Sequence, residues 1–160
     1  MKKMLALFIA VTALQQLKSQ TTITTGRIEG LKDAWNTTVD YVGEVKNKQP
    51  NGLGIAIYSN DYALRYSGYF VNGQYSGKGV LLFKDGSFLS GDWKNGKLNG
   101  KGANLTKDGD LYIGHFEDGK KNGNGTFMYA DNGLLTGNMK NDTYEGRCIF
   151  IPASGETISD

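Results

Sequence analysis

The chain holds one histidine, His115, and one cysteine, Cys148. A Ser-His-Asp or Cys-His relay needs a general base beside its nucleophile, so either would have to use His115. In the other copies of the repeat described below, the position of His115 is filled by Glu44, Tyr69, Asp92 and Asn138. His115 therefore reads as a variable surface position. A Cys/His zinc site needs several such ligands and is excluded by the same count. Asp85, Asp108 and Asp131 recur at one place in the repeat, each followed by Gly or Asn. Turns favour that pairing, and calcium ligation is the minor alternative. The Gly-x-Gly pairs lack the Lys-Ser/Thr ending and the following helix of a phosphate loop. No catalytic, cofactor or metal site is expected, and the chain reads as a non-enzyme.

What must be positioned, then, is a surface, and the elements that carry it repeat. Tyr66–Gly86, Leu89–Gly109 and Tyr112–Asn132 are near copies of one another, and Leu135–Gly155 is a weaker one. Gly68, Gly91, Gly114 and Gly137 are 23 residues apart, and Gly43 lies 25 before Gly68. A fixed period of this length decides the architecture. About five units result, near 41–65, 66–88, 89–111, 112–134 and 135–157.

Within each unit the hydrophobic period is 2, the signature of a strand. Tyr66, Gly68 and Phe70 share one face, with Ser67, Tyr69 and Val71 on the other. Leu89, Gly91 and Trp93 stand against Ser90, Asp92 and Lys94, and Tyr112, Gly114 and Phe116 against Ile113, His115 and Glu117. One face reads as apolar and the other as mostly polar. Turns are expected at Asn72-Gly73, Asn95-Gly96 and Asp118-Gly119, because both residues of such pairs tolerate positive φ. A second strand then begins at Gly77/Gly79, Gly100/Gly102 or Gly123/Gly125 and closes at a second turn, Asp85-Gly86 or Asp108-Gly109. Glycine weakens a strand interior, so Gly68, Gly91 and Gly114 need a reason. They are expected to leave room for rings of neighbouring units, packing Tyr66, Trp93, Tyr112 and Phe116 into a continuous ladder. The alternative is that they only supply bends.

The pattern Tyr-x-Gly-x-Phe/Trp-x-x-Gly-x-x-x-Gly-x-Gly resembles the MORN (membrane occupation and recognition nexus) repeat. Tyr66, Gly68, Phe70, Gly73, Gly77 and Gly79 match it, as do Tyr112, Gly114, Phe116, Gly119, Gly123 and Gly125. The third unit keeps Gly91, Trp93, Gly96, Gly100 and Gly102 with Leu89 for the tyrosine. The first keeps Tyr41, Gly43, Gly52 and Gly54 but has Val45 in the aromatic place. The fifth keeps Gly137 and Gly146, with Leu135, Met139 and Cys148 at the other motif positions. The resemblance implies an all-β, elongated, single-layer array of antiparallel β-hairpins. It also implies scaffolding, protein contacts or membrane association.

Outside the array, Lys2 and Lys3 precede an apolar run, Met4 to Leu14, and a polar end at Ser19-Gln20. That order is the plan of a signal peptide, expected to be cleaved near residues 19–21. Eleven apolar residues are too few to span a bilayer, which takes about 20. An N-terminal amphipathic or core helix is the alternative. No cysteine follows the run, which excludes a lipoprotein anchor. Thr21 to Asp40 reads as a linker or a cap that tucks Trp35 against the first unit, since a stacked array must shield its end. Asn36-Thr37-Thr38 fits a glycosylation triplet, relevant in a eukaryotic secretory route.

The chain has 18 Lys and Arg against 16 Asp and Glu; taking away Lys2, Lys3 and Lys18 leaves a net charge of −1. Such a chain has no net electrostatic reason to bind nucleic acid or anionic lipid. Cys148 has no partner for an internal disulfide and reads as a small buried hydrophobe, with an intermolecular or reactive thiol as the alternative. The polar face carries Glu44, Lys46, Asp92, Lys94, Glu117 and Lys140. Lys97, Lys101, Lys120 and Lys121 form a basic edge, either an ordinary solvated turn or a docking edge for an acidic partner or a phospholipid headgroup.

The leading expectation is an exported, non-catalytic protein-interaction scaffold at a bacterial cell envelope with a protein partner. One alternative is a peripheral membrane-binding module using that lysine edge plus Tyr69 or Tyr75. Another is an accessory or regulatory piece of an enzyme system. Self-association through the array ends or edges is plausible because an open sheet leaves strands unpaired.

Overall fold

The computed structural model describes residues 24–154 other than 34, together with residues 158 and 159. The expected signal peptide lies outside the described residues. Among the described residues, twelve strands form one antiparallel sheet in sequence order. They are β1 (Thr24–Lys32), β2 (Thr38–Lys46), β3 (Gln49–Tyr58), β4 (Ala63–Val71), β5 (Gln74–Phe83) and β6 (Phe88–Lys94). Then come β7 (Lys97–Leu105), β8 (Leu111–Glu117), β9 (Lys120–Met128), β10 (Leu134–Lys140), β11 (Thr143–Ile151) and β12 (Ile158–Ser159). Each unit is one hairpin, β2/β3 through β10/β11, so the all-β, single-layer array is present. The stretch before residue 41 is not merely a linker or cap: β1 pairs along β2 from Thr24↔Val45 to Lys32↔Thr38.

The hairpin turns follow from their residues. Asn72 and Gly73 sit at φ 48° and 80°, and Asn95-Gly96 and Asp118-Gly119 repeat this. Two successive positive φ angles make the turn whose twist matches the flanking strands. The first unit makes the same turn with Asn47 and Lys48, at φ 51° and 61°. Lysine in that region carries a steric cost that glycine avoids, on the order of 1 kcal/mol. Lys48→Gly is therefore expected to raise stability by about that amount, read as a higher urea midpoint at unchanged slope.

The two glycines of each Gly-x-Gly pair do different jobs. In every hairpin the register shifts just after the central glycine of the first strand, as between Gly68 and Tyr69. The shift is a β-bulge, and the first glycine of the pair lies in it: Gly52, Gly77, Gly100, Gly123 and Gly146 all have φ between 62° and 121°. The second glycine lies in register with its neighbours. Gly43 pairs with Gly54, Gly54 with Gly68, Gly68 with Gly79, Gly79 with Gly91 and Gly91 with Gly102. The line goes on through Gly114, Gly125 and Gly137 and ends at Cys148. It also reaches back to Gly26 on β1. A lane of ten glycines thus crosses ten strands at one level.

Rings lie on this lane, but mostly not from the neighbouring unit as expected. A Cβ on Gly79 would fall 2.7 Å from Tyr66 Cε2, and a Cβ on Gly54 or Gly125 would meet Tyr41 or Tyr112. The covering ring therefore belongs to the same hairpin, not to a neighbour; Gly102, beneath Phe116 of the next unit, is the exception. Each covering tyrosine reaches across and donates its hydroxyl to the carbonyl three residues on: Tyr41 to Glu44 (2.7 Å), Tyr66 to Tyr69 (3.2 Å) and Tyr112 to His115 (3.3 Å). Trp93 does reach back to the preceding unit, its Nε1–H donating to Gly79 O at 3.0 Å.

Nor is the aromatic ladder continuous. Tyr41, Phe70, Tyr66, Tyr75 and Trp93 form one group of stacked and edge-on rings. Tyr112, Phe116, Phe127 and Tyr144 form a second. No ring pair joins them among the described residues. The third unit, with Leu89 in the tyrosine place, puts Leu89 and Leu98 in the core there instead. The core is this ring face of a single sheet, closed over by its own side chains.

Candidate interaction surfaces

The residues with reactive side chains stay apart. His115 is exposed, with Nδ1 3.3 Å from Asn124 O and no acidic partner among the described residues. Cys148 is half-buried near the far edge, where it ends the glycine lane. No group of three His, Cys, Asp or Glu able to hold a metal occurs among the described residues. Asp85 accepts from Ser87 N and from Ser87 Oγ, and these hydrogen bonds hold its carboxyl below the usual range. Asp131 likewise accepts from Gly133 N at 2.9 Å. Both carboxylates serve their own turns.

Lys97, Lys101, Lys120 and Lys121 do not make one edge. Lys97 and Lys120 follow neighbouring hairpin turns and are exposed. Lys101 sits on the face away from the rings, directly across from His115. Lys121 turns to the ring face, its ammonium 4.7 Å from the centroid of Phe127 and 5.4 Å from that of Tyr112, within cation–π range. Tyr69 is exposed, but Tyr75 is only 1% exposed, stacked on Tyr66 with centroids 3.7 Å apart. Period-2 alternation alone could have placed Tyr75 inside, since it shares the face of Tyr66 and Phe70.

Two features stand out in place of the lysine edge. The first is on the ring face, around Trp35. Asp33, only 8% exposed, accepts from Tyr58 Oη at 2.8 Å and from the backbone of Trp35 (3.0 Å) and Thr37 (2.8 Å). Tyr58 and Tyr75 are hydroxyl-to-hydroxyl partners, and burial pushes both of their pKa values up. This network holds the loop between β1 and β2 down on the sheet. It sets the Trp35 ring edge-on to Tyr75 of the second unit at 5.7 Å. Trp35 remains 45% exposed and stands between two hollows. One, of about 300 Å³, is walled by Tyr58, Tyr62, Phe83 and Leu81; the other, of about 200 Å³, by Trp93, Lys97 and Leu98. Tyr62 at the rim is 71% exposed.

The second feature is the face opposite the rings, and it corrects the reading of that face as mostly polar. Polar residues gather on the turn side of the glycine lane, Lys78 opposite Asp92, Lys101 opposite His115 and Asn124 opposite Asn138, with the exposed pair Leu53 and Tyr69 as the apolar exception. On the other side of the lane, adjacent strands align Val42, Ile55, Ser67, Val80, Ser90, Ala103, Ile113, Thr126, Thr136 and Ile149. Two residues further on, Leu82, Phe88, Leu105, Leu111, Met128, Leu134 and Ile151 align in the same way from β5 to β11, and the row ends over β4, β3 and β2 in Arg65, Ile57 and Asp40. Grooves of about 520 and 480 Å³ run over the lane between the apolar and polar rows, sharing Asn124 and Thr136.

The MORN repeat family model matches residues 41–61, 66–88, 90–103 and 112–134, together about half of the chain. A search of curated proteins returns no match. Among solved structures, the chain is similar to the TCP domain of SAS-4 (dCPAP) from Drosophila melanogaster, determined in complex with a proline-rich motif of Ana2 (dSTIL). That likeness has 12% identity and a TM-score of 0.47, covering 88% of this chain and 92% of that one.

Proposed function

The chain belongs to the MORN-repeat family, a family of protein- and membrane-binding repeat modules, and from that membership we propose that it is an exported, non-catalytic scaffold whose partner is another protein. The setting proposed is a bacterial cell envelope. The observation that supports partner binding most directly is Trp35. A half-exposed indole whose backbone is held by a buried carboxylate, with a hollow on either side, is the kind of aromatic anchor on which interface energy concentrates. Asp33 holds the Trp35 backbone before the partner arrives, so less ordering entropy is lost on binding. Export is supported by the Lys2-Lys3 start and the Met4–Leu14 apolar run.

The lipid alternative has less to stand on, because the lysines it needs are divided between the turns, the ring face and the opposite face.

The test is capture of partners from envelope extract on the chain and on Trp35→Ala. The expected result is a single stoichiometric protein on the first, reduced at least about tenfold on the second, as for loss of a central aromatic anchor. Equal capture by both would remove Trp35 from the interface. Salt-sensitive binding to anionic vesicles with no protein captured would move the function to the membrane. N-terminal sequencing of the chain recovered from its producing cells checks export separately: a start near residue 20 supports it, and an intact Met1 overturns it.

A further inference from the structure

We propose that the face opposite the rings is the interface of a two-fold dimer, its occupant a second copy of this chain. This inference does not rest on the scaffold reading, which uses the ring face. Nor is it self-association through the array's ends or edges. It starts from the two apolar rows beside the glycine lane. Val42, Ile55, Val80, Ile113 and Ile149 of the inner row and Met128 of the outer row are each between 40% and 52% exposed, with Ser67, Ser90, Ala103, Thr126 and Thr136 set between those of the inner row. A monomeric protein seldom leaves so long an apolar band to water.

Size argues for a whole sheet as occupant in place of a short peptide. Strands about 4.8 Å apart make the inner row, β2 to β11, on the order of 45 Å long and the outer row, β5 to β11, on the order of 30 Å long, each about 7 Å wide. That is about 500 Å² per chain before the flanks are added, near the roughly 600 Å² each partner gives at the small end of specific interfaces. A second copy also matches the band in chemistry. A two-fold axis parallel to the strands, between two facing sheets, reverses the order of the strands but keeps each row at its level. Over the middle of the sheet apolar residues then meet apolar ones, Val80 facing Ile113, Leu82 facing Leu111 and Phe88 facing Leu105, while Asp40 and Arg65 fall towards the ends of the contact. The glycine lane and its groove face their own image. Strand reversal also brings the Glu44 end of one polar row to the Arg147 end of the other, an opposite-charge match. The contact is isologous, and closed two-fold dimers are the commonest assembly. Two sheets stacked face to face about 10 Å apart are an ordinary β-sandwich.

The experiment is sedimentation velocity on the full chain, compared with Val80→Lys/Ile113→Lys and with Glu145→Pro on the β11 edge. Because Val80 and Ile113 already point to solvent, far-UV circular dichroism and the Tm of the double variant are expected to match the parent. Phe88→Lys in the outer row is a second face variant should the first fail to fold. The parent is expected to sediment as a dimer at micromolar concentration, and either face variant as a monomer with association weakened by about 100-fold or more. The Glu145→Pro chain is expected to remain a dimer. A parent that is monomeric throughout overturns the proposal, as does a dimer that survives both face variants. A monomer that floats with neutral lipid vesicles through Val80 and Ile113 would also overturn it, giving the band to a bilayer.

Discussion

Gly79→Val is expected to destabilise the protein by about 3 kcal/mol or more, at the upper end of what overpacking a core produces. The reason is local and geometric. A side chain at Gly79 points into the Tyr66 ring, which has nowhere to go. Tyr66 is stacked on Tyr75 and edge-on to Phe70 and Trp93, so moving it disturbs the first ring group as a whole. Trp93 also donates to the Gly79 carbonyl. Chemical denaturation measures the loss. The mechanism is checked by Tyr66→Leu, which imitates the third unit: in that background the Gly79→Val penalty is expected to fall by at least about 1 kcal/mol, a coupling visible in the double-mutant cycle. Equal penalties in both backgrounds would mean that the ring does not explain the glycine. Gly146→Ala is a useful contrast. Nothing lies within 4 Å of a Cβ there, but φ is +79°, so the cost is backbone strain alone, about 1 kcal/mol.

Raising the pH through 10 is expected to unfold the array cooperatively. Burial, with the Glu44 charge adding to it, pushes the Tyr41 hydroxyl from its ordinary value of 10 up to about 12. Burial pushes Tyr58, Tyr66, Tyr75 and Tyr144 up as well. A tyrosine whose pKa is higher in the folded state keeps its proton there while the unfolded chain loses one. The folded state then binds more protons than the unfolded one, and stability falls with rising pH. The stabilising difference is complete below pH 10 and is lost as the pH climbs through about 12. Tyrosinate absorbance and far-UV circular dichroism, followed together, are expected to change in one transition that includes the buried tyrosines. Gradual ionisation with the strand signal intact well above pH 10 would contradict the burial on which the argument rests.

The hairpins were legible because their turns and their period are both local. Asn-Gly and Asp-Gly fix the reversals, and the spacing of Gly68, Gly91 and Gly114 fixes the register. Strand β1 was not, because it is half a unit. Gly26 takes a place in the glycine lane but stands 17 residues before Gly43, off the repeat period, and the loop that joins them depends on Asp33 finding Tyr58 far along the chain. The owner of each covering ring was also hidden. A tyrosine two residues from a glycine does not say whether its ring crosses its own hairpin or the next. The split of the outer face was missed for a different reason. Alternation assigns a residue to a face but not to a level along the strand, and here the levels differ in character. Leu82, Phe88, Leu105 and Leu111 sit near the strand ends, where they read as part of the flanking apolar runs and not as a row. The lysine edge failed because residues close in sequence at a hairpin diverge in space: Lys120 and Lys121 are consecutive and so point to opposite sides of the sheet.

The strands lie in sequence order, and every unit meets its neighbours through the same glycine register. A duplicated internal unit could therefore be spliced in without any new kind of contact, and each would lengthen the sheet by two strands, about 10 Å. Length in such a molecule is countable: reach between two attachment points can be graduated by copying 23 codons, with the chemistry of the surface left unchanged.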